Sequence, residues 1–418
     1  MERLSFKLQV VTPLFMSGAD QRKAELRPPS IRGALRFWFR ALAGPVLSYD
    51  WRAVQQAEAL LFGSTDQSSC WFLRVRPFDR KASSIASFPP PLAYLGYGPI
   101  GYEKSSKRYV AQRVYYPPGS SCQLEVGCFE RDSSLAQLLG VTFWVWGHLG
   151  GLGSRVRRGF GAISLQPETE SVLIWSYRQS INDPQRLAQE LQNGLEEACV
   201  VFAEKLPEVL RRNYPDLGIR PRPVSEFFTL DKRSAELYVG QKVFKDWQQA
   251  LAAVGTALMG FRRERPPDYG IVRQFITSSG TPPQGTLERT RFGLPLNFYF
   301  KNEEAKPSVT AIREWEQGGR QFREQYDRRA SPLMIRVMPL QGQSCCIALL
   351  HSKAEFLPAG TKLLLAKGKN PKDQKDLPIP TRDLVEVFLK DLFNNSDAQI
   401  YGKLGGAIPV TLSEAREG

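Results

Sequence analysis

"GHLGGLGSRVRRGFG", residues 147–161, lies between an apolar run, "SLAQLLGVTFWVWGHL", and a short segment, "GFGAISLQ", in which apolar and polar residues alternate. Its fifteen residues hold six glycines, three arginines and one of the two histidines of the chain. The run before it reads as a buried helix and the segment after it as a strand. A basic, glycine-rich turn between the two is suited to approach phosphate. Glycine lets backbone N–H groups come close to an oxyanion, and arginine forks onto its oxygens. That phosphate belongs to a nucleotide cofactor, a membrane lipid or a nucleic-acid backbone. The plainer alternative is a glycine-rich turn with solvated arginines.

The nucleotide cofactor fails first. A dinucleotide fingerprint places a third glycine at the opening of a helix. Gly151 and Gly153 would need glycine at position 156, where Val156 stands, and the chain continues into a strand. No Gly-Lys pair followed by Ser or Thr is present, so no cofactor is expected. By contrast, Arg158-Gly159-Phe160-Gly161 fits the first four positions of the RNA-recognition motif that opens Arg/Lys-Gly-aromatic-Gly/Ala, and Ile163 fits the aliphatic that follows. Ala162 and Leu165 replace the later aromatics, so stacking as in that module is not expected.

Working outward, "LSFKLQVV" alternates as a strand, and "PPSIRGALRFWFRALAG" reads as a helix that Ser30 caps and Gly44–Pro45 ends. "WRAVQQAEALLFG" is a second helix; "CWFLRVRPF" and "CQLEVGCF" are strands. Strand, helix, strands, helix, strand is the ferredoxin-like order. It recurs with "SEFFTL" as first strand and a helix on which Val243, Phe244, Trp247, Leu251, Val254 and Leu258 form a core stripe. "FGLPLNFYF", "SPLMIRVMPL" and "CCIALLHSKAEFL" follow as strands, and a last helix, "TRDLVEVFLKDLF", is capped by Thr381. The expected fold class is α+β: two ferredoxin-like, RRM-related domains in tandem with helical and loop insertions. Residues 1–170 form the first domain, 171–224 a helical connector and 225–418 the second domain. Residues 87–119, rich in Pro, Gly and Tyr, read as a long surface loop, and 367–376 as a solvated one.

Lys and Arg number 56 against 42 Asp and Glu, a net +14, which calls for a polyanionic partner. Six cysteines without a CxxC, and two histidines, suit neither a structural zinc site nor a disulfide framework. No segment reads as a signal peptide or a transmembrane span, so a reducing cytoplasm is expected. In the first helix Ile31, Leu35, Trp38, Phe39 and Leu42 share the apolar face, while Arg32, Arg36 and Arg40 form a row on its flank. Like charges four apart repel. A row without interleaved acids therefore points either to a bound anion or to salt bridges with another domain. Phe37 points off the apolar face and is the candidate for stacking a base; Trp38 and Phe39 are core.

"TPLFMSGADQRKAELRPPSIRGALRFWFRAL", taken with "GGLGSRVRRGFG", resembles the repeat-associated mysterious proteins (RAMPs) of CRISPR–Cas effectors, and within them the first-subunit family of the type III-B Cmr complex. "ERTRFGLPLNFYF", "RRASPLMIRVMPL" and "FLPAGTKLLL" look like the second half of the same subunit, so the resemblance spans most of the chain. It implies two RRM-related domains in a cytoplasmic ribonucleoprotein for antiviral defence. It also implies a place at the head end, contacting the 3′ part of the guide RNA (crRNA) and the target RNA beside sibling Cmr subunits. It implies neither a nuclease site nor a cofactor, metal, small-molecule substrate or membrane in this subunit. The RNA-contact residues carried over are Ser30, Arg32, Arg36 and Arg40 of the helix, with Gly150, Gly151, Gly153, Ser154, Arg155, Arg157, Arg158, Gly159 and Phe160 of the loop.

The alternative is a RAMP-type endoribonuclease. Its general base would be His148, before the basic loop, or it would use a metal on Asp20 in "SGADQ". His148 also reads as a helix-end residue complementing the dipole. An anionic-membrane protein ranks last, because no lysine-rich amphipathic helix is visible.

Overall fold

The computed structural model describes residues 3–84, 86–128, 133–168, 181–223, 227–264, 268–277, 285–301, 303–368, 373–394 and 407–412. β1 (Arg3–Val10) buries Leu4, Phe6, Leu8 and Val10 on one face by simple alternation. α1 (Pro28–Val46) and α2 (Trp51–Phe62) lead to β2 (Trp71–Val75). An insertion then carries β3 (Ser87–Phe88), α3 (Pro90–Leu95), β4 (Ile100–Glu103) and β5 (Arg108–Ala111). β6 (Ser121–Cys128), α4 (Ser133–Leu149) and β7 (Ile163–Pro167) complete the first unit. Its sheet runs β2-β6-β1-β7, all antiparallel, with Phe6 opposite Leu124 and Leu8 opposite Leu165. That is the ferredoxin-like order, in which the first and third strands lie side by side at the centre.

The order recurs after the long helix α5 (Pro184–Asn213). β8 (Ala235–Gly240) is followed by α6 (Trp247–Glu264), α7 (Asp268–Thr277), β9 (Leu296–Asn297), β10 (Ser308–Gln317), β11 (Arg320–Tyr326) and β12 (Leu333–Pro339). β13 (Cys345–Ser352), β14 (Thr361–Ala366), β15 (Gln374–Leu377), α8 (Leu384–Asn394) and β16 (Ala407–Val410) close the chain. The second sheet runs β12-β13-β8-β16, again antiparallel. Two stretches far apart in sequence, β9–β11 and β14–β15, build a further sheet with its own core around Phe275, Phe298, Val309 and Leu363.

β12 and β13 are apolar at nearly every position because both faces of their sheet are covered. Leu333, Ile335, Val337, Ile347 and Leu349 pack toward α6 and α8. Met334, Met338, Cys346, Ala348 and Leu350 join the first unit's core, along with the inward face of α5. One hydrophobic core thus crosses from the first unit into the second. Each fully buried Leu or Phe in it contributes about 1.5–3 kcal/mol.

Several expected details shift. The first strand of the second unit is "AELYVG"; residues 227–230 of "SEFFTL" are not strand, and 225–226 lie outside the described residues. α6 begins at Trp247, so Val243 is 46% exposed rather than core, and Phe244 is buried through its backbone bridge to Cys345. α1 starts at Pro28 with Arg27 as its cap, the prolines filling the first turn where no N–H is needed, and it runs through Pro45. Ser30 is therefore inside the helix. Asp383, not Thr381, caps α8, accepting from the N–H groups of Val385 and Glu386. "FGLPLNFYF" is mostly irregular: its first residue ends a 3-10 turn (Glu288–Phe292), and only the two residues of β9 are strand. The 87–119 stretch is a folded insertion: Phe88, Leu92, Leu95, Ile100 and Tyr115 are buried in the second core. Part of 367–376 is strand β15. The expected boundaries at 170/171 and 224/225 fall outside the described residues. Among the described residues, no helix is long and apolar enough to cross a membrane.

Arg336 of β12 is buried at the junction of the two units. Its Nε donates to His148 O at 2.9 Å and its Nη2 to Gly147 O at 2.7 Å, with a further bond to Ile163 O. It satisfies carbonyls at the end of α4 that have no partner within the helix. Replacing Arg336 by Met is expected to cost about 3–5 kcal/mol, since several charge-assisted bonds are lost and buried carbonyls are stranded. The checks are the urea midpoint and faster amide exchange in β12.

Candidate nucleic-acid interface

The glycine-rich loop leaves α4 and folds against the segment that follows β1. Leu152 N donates to Gly161 O at 2.9 Å, Ser154 N to Phe15 O at 2.8 Å and Gly161 N to Pro13 O at 3.0 Å. Thr12 Oγ1 donates to Gly159 O at 2.7 Å and accepts from Ala162 N at 2.9 Å. The other side of the loop pairs with the second unit: Arg158 bridges Ile335, and Ile335 N donates to Arg157 O at 3.0 Å. β12 is the edge strand of its sheet, so the loop covers an edge that would otherwise be open.

Packing accounts for the glycines. A Cβ on Gly150 would meet Trp38 Nε1 and Trp146 O at 2.6 Å, and one on Gly161, where φ is +64°, would strike Leu152 O. The close approach expected toward phosphate is made instead to the protein's own backbone. Phe160 is corrected outright: it is fully buried, with its ring 5.8 Å from that of Phe15, and no base reaches it.

The three loop arginines fan apart. Arg155, at φ +62°, is exposed and lies 5.8 Å over the ring of Tyr97, itself 70% exposed. Arg157 donates to Ser331 O at 2.7 Å and lies 5.4 Å over the ring of Phe37. Arg158 donates to Phe292 O at 3.0 Å. Burial pushes Arg157 and Arg158 down to about 10, with Arg329 adding for the first, and Arg262 and Arg155 for the second. Both still carry full charge at neutral pH, in surroundings that favour an added anion.

The helix arginines are paired more than the sequence suggested. Arg32 donates to Trp71 O at 2.9 Å and lies 4.5 Å over the Trp71 ring. Arg36 pairs with Glu58 at 2.9 Å and donates to Phe62 O at 3.0 Å and Gly63 O at 2.7 Å. Arg40 reaches the other oxygen of Glu58 at 3.2 Å and remains half exposed. The row without acids is therefore corrected: α2 supplies the acid. Glu58 lies 22 positions beyond Arg36, at a spacing no helical pattern reveals.

The two segments nevertheless meet. Arg157 of the loop sits over Phe37 of α1, and Gly150 packs against Trp38. Phe37 stacks on Phe228, rings 5.5 Å apart and 3° from parallel. Beside them opens a cavity of about 470 Å³ lined by Phe37, Arg40, Trp51, Val54, Gln55, Glu58, Phe227 and Phe228. Phe227 is 51% exposed, its ring 4.6 Å from that of Trp51. Sequence reading missed Phe227 and Phe228 by taking them as strand; the paired aromatics were the available signal.

The candidate catalytic groups are placed as follows. His148 Nδ1 is 2.9 Å from Trp144 O, and its ring is 4.2 Å from that of Trp144. Burial pushes its pKa down to about 4, against the bond to Trp144 and helped by Arg336. Asp20 is exposed, takes the N–H of Arg22 at 3.0 Å and faces Lys23 at 3.8 Å.

A family profile described as the RAMP superfamily matches residues 7–164, from within β1 to the start of β7. CRISPR system Cmr subunit Cmr1-2 of Pyrococcus furiosus is 32% identical over 184 residues, covering 40% of this chain and 97% of that protein. The chain belongs to the Cmr1 family. Subunit Cmr1-1 of the same organism is 33% identical over 170 residues, covering 40% of this chain and 49% of that protein. In fold, the Cmr1 likeness runs further. The apo crystal structure of Cmr1 from P. furiosus gives a TM-score of 0.53 at 19% identity, covering 90% of this chain and 94% of that one. A chain of the type III-B Cmr-beta complex, bound to cognate target RNA and AMPPnP, gives 0.50 at 13%, covering 85% and 96%. The tandem ferredoxin-like α+β architecture is therefore that of Cmr1-family RAMP proteins.

Acid should weaken this Cmr1-family fold through His148. The native state keeps the ring neutral to about pH 4, while the unfolded chain's histidine takes its proton near 6.5. The folded pKa lies below the unfolded one, so the stability lost between about pH 6.5 and 4 comes from protonating the unfolded state. His148→Gln should flatten that part of the curve, read as the difference between the two proteins' urea midpoints from pH 7.5 to 4.5.

Proposed function

We propose that this chain is a non-catalytic RNA-binding subunit of a cytoplasmic type III-B Cmr ribonucleoprotein, contacting the 3′ part of the guide RNA and the target RNA beside sibling Cmr subunits in antiviral defence. The observation that carries the reading is the meeting of two basic, aromatic segments, with Arg157 5.4 Å over Phe37. Half-exposed Arg40 and exposed Arg155 are the cations that reach phosphate; Arg32 and Arg36 hold the helix in place. Phe37, Trp51, Phe227 and Phe228 offer faces on which an unpaired base stacks, whatever its identity. Sequence is then read by the guide's own pairing. The Cmr subunit names of the curated relatives support the assembly. His148 supports the non-catalytic part of the reading, since a ring held neutral by burial and bonded to Trp144 is poorly matched to general-base work at neutral pH.

Single replacements of Arg40 and Arg155 by Ala should weaken RNA binding similarly for all sequences and lower the salt slope by about one unit per lost contact. Phe227→Ala should cost about 1–3 kcal/mol of affinity with little change in slope. Arg36→Ala should chiefly lower the melting temperature. Fluorescence anisotropy across salt concentrations is the measurement; unchanged affinity and slope in both Arg40 and Arg155 variants would reject the reading.

A further inference from the structure

The strongest concentration of unsatisfied charge lies on the far side of the loop from Phe37. Arg158 of the loop, Arg262 at the end of α6 and Arg289 of the 288–292 turn gather about Tyr94 of the first unit's insertion. Arg158 Nη2 donates to Phe292 O at 3.0 Å, and the Arg262 guanidinium lies 5.7 Å from the Phe292 ring and 5.9 Å from the Tyr94 ring. Arg155 borders the group at Tyr97. Asp268 answers Arg289, pairing with its Nε at 3.4 Å, but the same carboxylate also takes the N–H groups of Glu288 and Arg289. Arg158 Nη1, Arg262 Nε and Arg289 Nη2 are all buried without a hydrogen-bond partner.

Such an arrangement is costly in isolation. A buried donor left unpaired costs free energy, and three guanidinium groups near one another repel. Arg262 and Arg155 both lower the pKa of Arg158, after burial, and Arg262 does the same to Arg289. One tetrahedral oxyanion would satisfy the three free donors and the repulsion together, because guanidinium forks match phosphate oxygens.

We propose that Arg158, Arg262 and Arg289 form a seat for a single phosphate group at the junction of the two ferredoxin-like units, with the Tyr94 hydroxyl at its rim. The phosphate is one carried by RNA, so its source rests on the RNA-binding reading, while the seat itself does not. Its donors come from both units, so occupying it ties the units together.

The experiment uses the full chain and inorganic phosphate, with chloride at matched ionic strength to remove simple screening. Phosphate should raise the melting temperature saturably, on the order of 4 °C at a hundred-fold excess over its Kd. Arg262→Gln and Arg158→Gln should abolish that rise. Arg262→Gln should also leave the unliganded protein at least as stable as the parent, since it removes a repelled, unpaired cation. No rise beyond chloride, or the same rise in both variants, overturns the seat. Short RNAs ending in a 3′-phosphate or a 3′-hydroxyl are compared as competitors. Equal competition assigns a backbone diester, and competition by the phosphate-ended RNA alone assigns a terminal monoester. Anisotropy on the same samples separates the two readings: RNA bound without a phosphate rise removes the seat and leaves RNA binding standing. A phosphate rise without RNA binding keeps the seat and removes its assigned source.

Discussion

A buried arginine on an edge strand holds this molecule together. Arg336 projects from β12 into the end of α4, where helix carbonyls have no partners of their own, and it bonds Gly147, His148 and the start of β7. Next to it the glycine-rich loop pairs with β12 at Ile335, through the Arg157–Ile335 bond, and is pinned from behind by Thr12 and Phe15. The loop must therefore lie between two backbones at once. A side chain at Gly150 or Gly161 has no room there, whatever the loop does to a ligand. The same constraint turns its arginines outward: Arg155 to solvent, Arg157 toward α1, Arg158 into the second unit.

The fold was legible where patterns are local. β1 alternates, α1 carries its stripe, and the β-α-β-β-α-β order read from the first half is the strand order found. It was less legible where partners are distant. The further sheet joins β10 to β14 across more than forty residues, and neither strand announces the other. "SEFFTL" is apolar enough to read as the first strand in place of "AELYVG", yet Phe227 and Phe228 line the cavity and join no sheet. Continuous apolarity in "LMIRVMP" and "CCIALLHS" was correctly strand, and the reason, burial on two faces, is a property of the assembled units.

The candidate site was half legible for an electrostatic reason. Sequence spacing shows which charges share a helix face, but not which are already neutralised from elsewhere. Glu58 takes both Arg36 and Arg40, and carbonyls at Trp71, Phe62 and Gly63 take the rest, so most of the row stabilises the α1–α2 corner. Conversely, "RRERPPDYG" and "TLERTRFG" read only as basic stretches that either grip target RNA or brace a neighbour, because only the fold sets Arg262 and Arg289 beside Arg158.

What distinguishes the two units is what has been inserted into them. Stripped to eight strands and their crossing helices, they repeat one another, and a repeated scaffold says little about chemistry. The exposed Tyr97 and the Tyr94 ring come from the first insertion, and Phe292 and Arg289 from the second. Both insertions reach the same loop, from opposite units. The residues left charged or aromatic at that junction are thus those that neither core requires. A partner that engages them binds across both units, so its affinity depends on how firmly β12 and the loop are joined.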